Sequence, residues 1–257
     1  MRKLVWRFFI SLSLVFVCAG AIASTCQSSG YHSQVQVKRV IDATTIQLVS
    51  GQHVRLIGVK LPTTQGKAND KQARQVAEQS NLLLKQTLAT APEIKLVLDK
   101  NLLDHNNHML AHVFLPSDQN VQQLLLQQGA VQLDIQQPNT MFWRCYYQAQ
   151  LDALNQHTGL WAFKAFQAQP AEQAKASQQA NQNWSGKVVR VFQHKQATWL
   201  VINDWFYVEV PDKVKTRHFR QTNFKSLIGQ QVIINSPVHY KNRRWQGLLA
   251  EPWQLIN

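Results

Sequence analysis

Acidic residues are scarce in this 257-residue chain: 14 Asp and Glu stand against 27 Lys and Arg, for a formal net charge of +13. Such an imbalance favours polyanionic partners (nucleic acid, anionic lipid, cell-wall polymers) without choosing among them. Cysteine is nearly absent, with three in the whole chain. No apolar run beyond residue 23 is long enough to span a bilayer. The near-average apolar content fits one large or two small domains.

The cysteines and the one apolar run are read together. Arg2, Lys3 and Arg7 precede apolar residues Phe8 to Ala23, and Ala21-Ile22-Ala23 is a small-x-small cleavage signal before Ser24. This is the pattern of a secretory signal peptide over residues 1–23, with an uncleaved membrane anchor as the alternative. Export to a periplasmic or extracellular location is therefore expected, with no transmembrane span after signal removal. Cys18 leaves with the signal. Cys26 and Cys145 remain, and in an oxidising compartment a disulfide between them is expected, two free thiols being the alternative. Two cysteines with no nearby partner are too few for a structural zinc site.

The charge is uneven. Residues 24–165 hold twelve Lys/Arg against nine Asp/Glu, whereas residues 184–257 hold eleven against four. After a polar lead-in over residues 24–33, Gln34 to Val40 alternates as a strand should. Val40 to Thr64 reads as a hairpin turning at Ser50-Gly51 and ending at Pro62. Lys71 to Leu88 has helical spacing and ends before Pro92. Strands are expected at 94–98, 108–115 and 131–135, a helix capped by Asn120 with a C-cap at Gly129, and a third helix at 146–157.

Five phrases then fall in register. They are Val40-Ile41-Asp42-Ala43-Thr44-Thr45-Ile46; Arg55-Leu56-Ile57-Gly58-Val59-Lys60-Leu61-Pro62-Thr63; Asp104 to Ala111; Asn120 through Gln128-Gly129-Ala130; and Gly159-Leu160-Trp161. Together they resemble the staphylococcal nuclease (thermonuclease) family over residues 34–163. The resemblance implies an α+β fold: a five-stranded OB-type barrel with three helices. It also implies a calcium-dependent phosphodiesterase site, in which carboxylates hold the ion, a glutamate activates water and two arginines stabilise phosphoryl charge.

Carried over residue by residue, the site is degenerate. Thr44 and Lys60 stand where the family has metal-binding acids, Thr63 where it has the base, and His108 where it has the second arginine. Arg55 alone keeps a catalytic family position, and Asp42 and Asp104 match acids outside the first catalytic shell. Losing one electrostatic stabiliser costs about 10²–10³ in rate, and a positioned base is worth about 10²–10⁴. A catalytically silent domain is therefore expected, with no cofactor; Ca²⁺ enters only if the family activity persists. Arg55, Lys60 and His108 are expected to line one concave face with no carboxylate between them and to bind phosphate; the alternative is a Lys60 that points into solvent. His105, His108 and His112 have the spacing of a metal-binding helix. The local pattern, however, is a turn entering a strand, which sets residues 108 and 112 about 13 Å apart, so no metal site is expected.

Residues 34–165 thus form the first domain, and 166–183 a Gln/Ala-rich stretch that is a frayed helix or a flexible connector. Residues 184–257 read as a small all-β module whose L-x-G-x-x-V-x-I phrase is similar to that of OB-like barrels. Its eleven aromatics are interleaved with Lys and Arg, the composition of single-stranded nucleic-acid binders. More than half of these aromatics are expected in its core. Trp205, Tyr207, Tyr240, Lys241, Arg243, Arg244 and Trp245 are left as a nucleic-acid surface. Three function classes follow: a metal-independent binder of single-stranded DNA or RNA or another polyanion, an active nuclease with an altered site, and a cell-envelope interaction module.

Overall fold

The computed structural model describes residues 26–62, 70–91, 93–173 and 182–256. The expected signal peptide, Thr63 and residues 174–181 of the Gln/Ala-rich stretch lie outside the described residues.

Period-two alternation builds the first domain. Strands β1 (Ser33–Asp42), β2 (Thr45–Leu48), β3 (His53–Leu56), β5 (Glu93–Val97) and β6 (Met109–Phe114) close a barrel in the order β1-β2-β3-β6-β5. β3 and β6 run parallel, with Val54 opposite Met109 and Arg55 opposite Leu110; the other pairings are antiparallel. A separate pair, β4 (Gly58–Lys60) and β7 (Gln132–Asp134), sets Gly58 opposite Asp134 and Lys60 opposite Gln132.

Three helices cover this barrel: α1 (Asp70–Ala89), α2 (Val121–Gln127) and α3 (Trp143–Asn155). Along α1, Val76, Ser80, Leu84 and Leu88 are buried at four-residue spacing, which makes one inward stripe. The Ser80 hydroxyl lies within hydrogen-bond reach of the Val76 and Ala130 carbonyls, so the polar member of the stripe is satisfied. Asn120 caps α2 by accepting a hydrogen bond from the Gln123 amide at 2.9 Å. Gly129 and Gly159 meet backbone to backbone. Both have positive φ, and a Cβ on either would overlap the other's backbone or that of its neighbour. That close approach is the physical content of two of the five phrases: the helix-ending glycine and the one before Leu160-Trp161 lock together, and the Leu160 amide donates to the Gly129 carbonyl at 2.9 Å.

Cys26 and Cys145 form a disulfide, with Cα atoms 5.6 Å apart and a sequence separation of 119. It ties the start of the described chain to α3. In the chain-entropy account a bridge closing a loop of this length stabilises by about 5 kcal/mol.

The second domain begins earlier than the composition suggests. β8 (Gln169–Pro170) pairs with β9 (Gln182–His194), and Ala171 is fully buried in the second core. β10 (Ala197–Ile202), β11 (Phe206–Pro211), β12 (Gln231–Ser236), β13 (His239–Lys241), β14 (Arg244–Leu248) and β15 (Leu255–Ile256) complete the sheet, in the order β13-β14-β11-β10-β9-β12-β15. β11 and β14 run parallel. The curled sheet is drawn together where the Leu248 amide donates to Ser236 Oγ at 2.9 Å. Asn203-Asp204 and the two-residue hairpin turn Asn242-Arg243 each carry two positive φ values.

A short helix, α4 (Asp212–His218), interrupts this all-β pattern. It buries none of its residues, so no apolar stripe announces it. Its signal is charge: Asp212 in the first turn and Lys215, Arg217 and His218 in the last complement the helix dipole.

Fewer aromatics than expected fill the second core. Trp184, Phe206, Phe219 and Phe224 are buried, four of eleven, and Trp245 packs partly against them. Aliphatic residues such as Val188, Leu200, Ile202, Val208 and Ile234 supply the rest. Strand alternation turns other aromatics to the outer face.

The domains touch through α3. Trp143 lies 5.4 Å from Trp253, and Tyr147 Oη donates to the Leu255 carbonyl at 2.7 Å. Burial pushes the Tyr147 hydroxyl pKa up to about 12. Among the described residues no helix is long and apolar enough to cross a membrane.

Candidate nucleic-acid interface

A cavity of about 610 Å³ opens on the outer face of β2, β3 and β6. Its lining includes Asp42, Thr45, His53, Arg55, Asp104 and His108. The parallel register places them. Val54 and Leu56 point into the core, so His53 and Arg55 point out; residue 53 then stands beside residue 108, and the His53 and His108 rings meet edge to face at 5.3 Å.

Among the described residues Arg55 faces this cavity without an ion pair. Its guanidinium makes one hydrogen bond among them, Nη1 to Thr45 Oγ1 at 3.4 Å. His108 is held instead. Its Nδ1 lies 3.1 Å from Asp104 Oδ2, and its amide donates to Asp104 Oδ1 at 2.9 Å. Burial alone would raise the Asp104 pKa, but the amide hydrogen bonds from His108 and Asn106 and the His108 ring outweigh it and hold the carboxyl below its usual value.

Two expectations about this face are corrected. Lys60 does not line it. The β4–β7 pairing brings Lys60 to Asp134, Nζ to Oδ1 at 3.6 Å, and into a separate cavity of about 220 Å³ that Glu251 and Trp253 also line. Nor is the face free of carboxylates: Asp42, Asp104 and Asp134 all border the larger cavity. Asp134 comes from β7, whose pairing with β4 is invisible in local sequence. His53 and Asp134 are among the lining residues that sequence reading missed, as are Asn101, Gln137 and Asn139; the register of residue 54 against 109 places His53.

The residues present do not fit the calcium ion that the resemblance implies. Asp42 Oδ1 accepts hydrogen bonds from both the amide and the hydroxyl of Thr44 at 2.7 Å, and Thr44 is fully buried. Lys60 brings a cation to an acid's position. Among the described residues no group of three His, Cys, Asp or Glu side chains could hold a metal. The three spaced histidines diverge. His105 is exposed at the turn, His108 pairs with Asp104, and His112 is buried, its Nδ1 2.8 Å from Tyr146 Oη. Thr63 lies outside the described residues.

Residues 53–163 match the family model of staphylococcal nuclease homologues. The first domain is staphylococcal-nuclease-like. The match covers less than half of the chain and starts at β3, so β1 and β2 enter the nuclease-like barrel on the evidence of their pairing. A search of curated proteins gives no match.

The second domain divides its seven candidate residues between two sheet faces and two turns. Cross-strand partners share a face, and faces alternate along each strand. Phe206 is buried in the core opposite Trp245, and Trp245 is opposite Tyr240, so these two aromatics lie on the core side of the sheet, their rings 4.9 Å apart. Tyr207, Lys241 and Arg244 lie on the outer side, with the Arg244 guanidinium 4.6 Å over the Tyr207 ring. Trp205 and Arg243 occupy the turns, both exposed.

Proposed function

We propose that this is an exported nucleic-acid-binding protein, built on a nuclease-like barrel that no longer runs the metal-dependent reaction. It holds single-stranded DNA or RNA through phosphate contacts that need no metal. The observation that carries this reading is Arg55: a guanidinium with no ion pair among the described residues, facing a cavity of about 610 Å³. Arginine suits phosphate oxygens because its planar fork offers paired donors.

Three further observations support it. The metal-acid positions hold a buried threonine and a lysine paired elsewhere. Arg2, Lys3 and Arg7 leave with the signal, and the remaining net charge of about +10 draws polyanions. The second domain adds outward-facing cations beside aromatic rings.

The test is binding and cleavage of a labelled single-stranded oligonucleotide by the mature chain, in calcium and in chelator. Binding is expected to persist in chelator and to weaken with rising salt. Arg55→Ala is expected to weaken it by about ten-fold or more, the size of a charge-assisted hydrogen bond. Calcium-stimulated cleavage would instead make the protein an active nuclease. Equal binding of heparin or polyphosphate would point to a cell-envelope role.

A further inference from the structure

The two domains share one strand connectivity. In the nuclease-like barrel the first three strands β1-β2-β3 form a meander, the third pairs in parallel with the last strand β6, and the first pairs with β5. In the second domain β9-β10-β11 form the meander, β11 pairs in parallel with β14, and β9 pairs with β12. Helical segments bridge the third and fourth strands of the scheme in both: α1 in one, α4 and the turn Phe224–Leu227 in the other.

This common scheme lets the cavity of the barrel be mapped onto the second domain's sheet by register alone. Val54 stands opposite Met109 on the core side, as Phe206 stands opposite Trp245. Arg55 then corresponds to Tyr207 and His108 to Arg244. One strand over, Thr45 pairs with Arg55 as Val201 pairs with Tyr207. One further, Asp42 pairs with Thr45 as Arg190 pairs with Val201. Thr45 and Val201 are both buried although both lie on the outer side, each beneath the side chains of this face.

The second domain's sheet therefore repeats the position of the cavity with a different chemistry. The carboxylate becomes Arg190, the arginine becomes the Tyr207 ring, and the histidine becomes Arg244. Arg190 and Arg244 are exposed. Each lies over a ring of the same face, Arg190 5.3 Å from Phe192 and Arg244 4.6 Å from Tyr207. Trp199 pairs with Phe192 in the next row, and Glu209 is the acid on these rows.

We propose that this outer face of β9, β10, β11 and β14 is a second binding site, for single-stranded nucleic acid. Bases stack on Tyr207 and the Phe192–Trp199 row, and phosphates lie against Arg190 and Arg244. Rings flanked by guanidinium groups on an open sheet suit unpaired bases, whose flat faces a duplex keeps covered. The inference rests on the nucleic-acid reading above and adds where the second domain binds and which strand form it takes.

The test uses the full mature chain and a fluorescent oligothymidylate of about 12 nucleotides, within the range of one OB-type site. Anisotropy is read against salt. Arg190→Ala with Arg244→Ala is expected to weaken binding about ten-fold or more. The slope of log affinity against log salt should become shallower by about 1.4, two phosphates' worth for a single strand. Tyr207→Ala is expected to weaken binding at least five-fold, Tyr207→Phe to leave it unchanged, and Tyr240→Ala, on the other side of the sheet, to leave it unchanged. A single strand should outcompete a duplex of the same length. If the wild-type chain binds and Arg55→Ala alone disrupts binding, the second site is overturned while the functional reading stands. Equal loss from Tyr240→Ala and Tyr207→Ala, or equal affinity for duplex, also overturns it. If the wild-type chain binds no single strand, both fall.

Discussion

At the scale of single residues, the first domain separates histidines that look alike in the sequence. His112 is buried against Phe142 and Tyr146. Tyr146 Oη also accepts from Asn120 at 3.0 Å, so the pair joins β6, α2 and α3. Asp99 Oδ2 faces His112 Nε2 at 3.7 Å, too far for a hydrogen bond. Burial lowers the His112 pKa from its ordinary 6.5, and Asp99 opposes this only in part. The folded chain therefore keeps the ring neutral where the unfolded chain takes a proton. Stability from this group is fully present above about pH 6.5 and is lost as the pH falls below it. Asp99, whose pKa is also lowered, acts only near and below its ordinary 3.8, outside that window. Urea titrations at pH 7 and pH 5 are expected to show a fall in stability that is smaller in His112→Gln, which can still reach Tyr146. Parallel pH dependences in the two proteins would rule this out.

At the scale of elements, what the sequence revealed depended on whether the signal was local. The barrel strands and α1 were legible because alternation and four-residue spacing are carried within each segment. The glycine phrases were legible too, and the structure gives their cause: Gly129 and Gly159 interlock so closely that neither tolerates a Cβ. Gly51, at the hairpin turn, has a positive φ, but a Cβ there would meet nothing within 4 Å. Gly51→Ala is therefore expected to cost only backbone strain, about 1–2 kcal/mol. Gly159→Ala adds a backbone overlap that no side-chain motion relieves and is expected to cost more than about 3 kcal/mol. Equal unfolding midpoints for the two variants would contradict the interlock. The site was less legible, because it depends on pairings between distant segments. Lys60 looked free until β7 brought Asp134 beside it. Tyr207 and Tyr240 looked equivalent until register put them on opposite sides of one sheet.

At the scale of the whole molecule, the two domains are joined at α3. The turn Pro252–Gln254 presents Trp253 to Trp143, Tyr147 holds the Leu255 carbonyl, and Gln137 Nε2 donates to Glu251 Oε1 at 3.1 Å. Gln137 also borders the Arg55 cavity, so the second domain braces the rim of the first site. An aromatic pair adds about 0.5–1.5 kcal/mol beyond its buried area, and a neutral hydrogen bond about 1 kcal/mol. A contact of that size orients two domains without being needed for either to fold, since each has its own buried cluster. Trp253→Ala with Tyr147→Phe is therefore expected to leave both cores intact and to free their relative orientation. Small-angle scattering should show a larger radius of gyration, and Trp143 fluorescence should shift toward that of an exposed indole. A strand that contacts Arg55 on one domain and Arg244 on the other gains from their fixed spacing. The same variant should thus weaken binding of a long single strand more than that of a short one. Unchanged scattering with unchanged long-strand affinity would mean that this contact does not set the arrangement of the two sites.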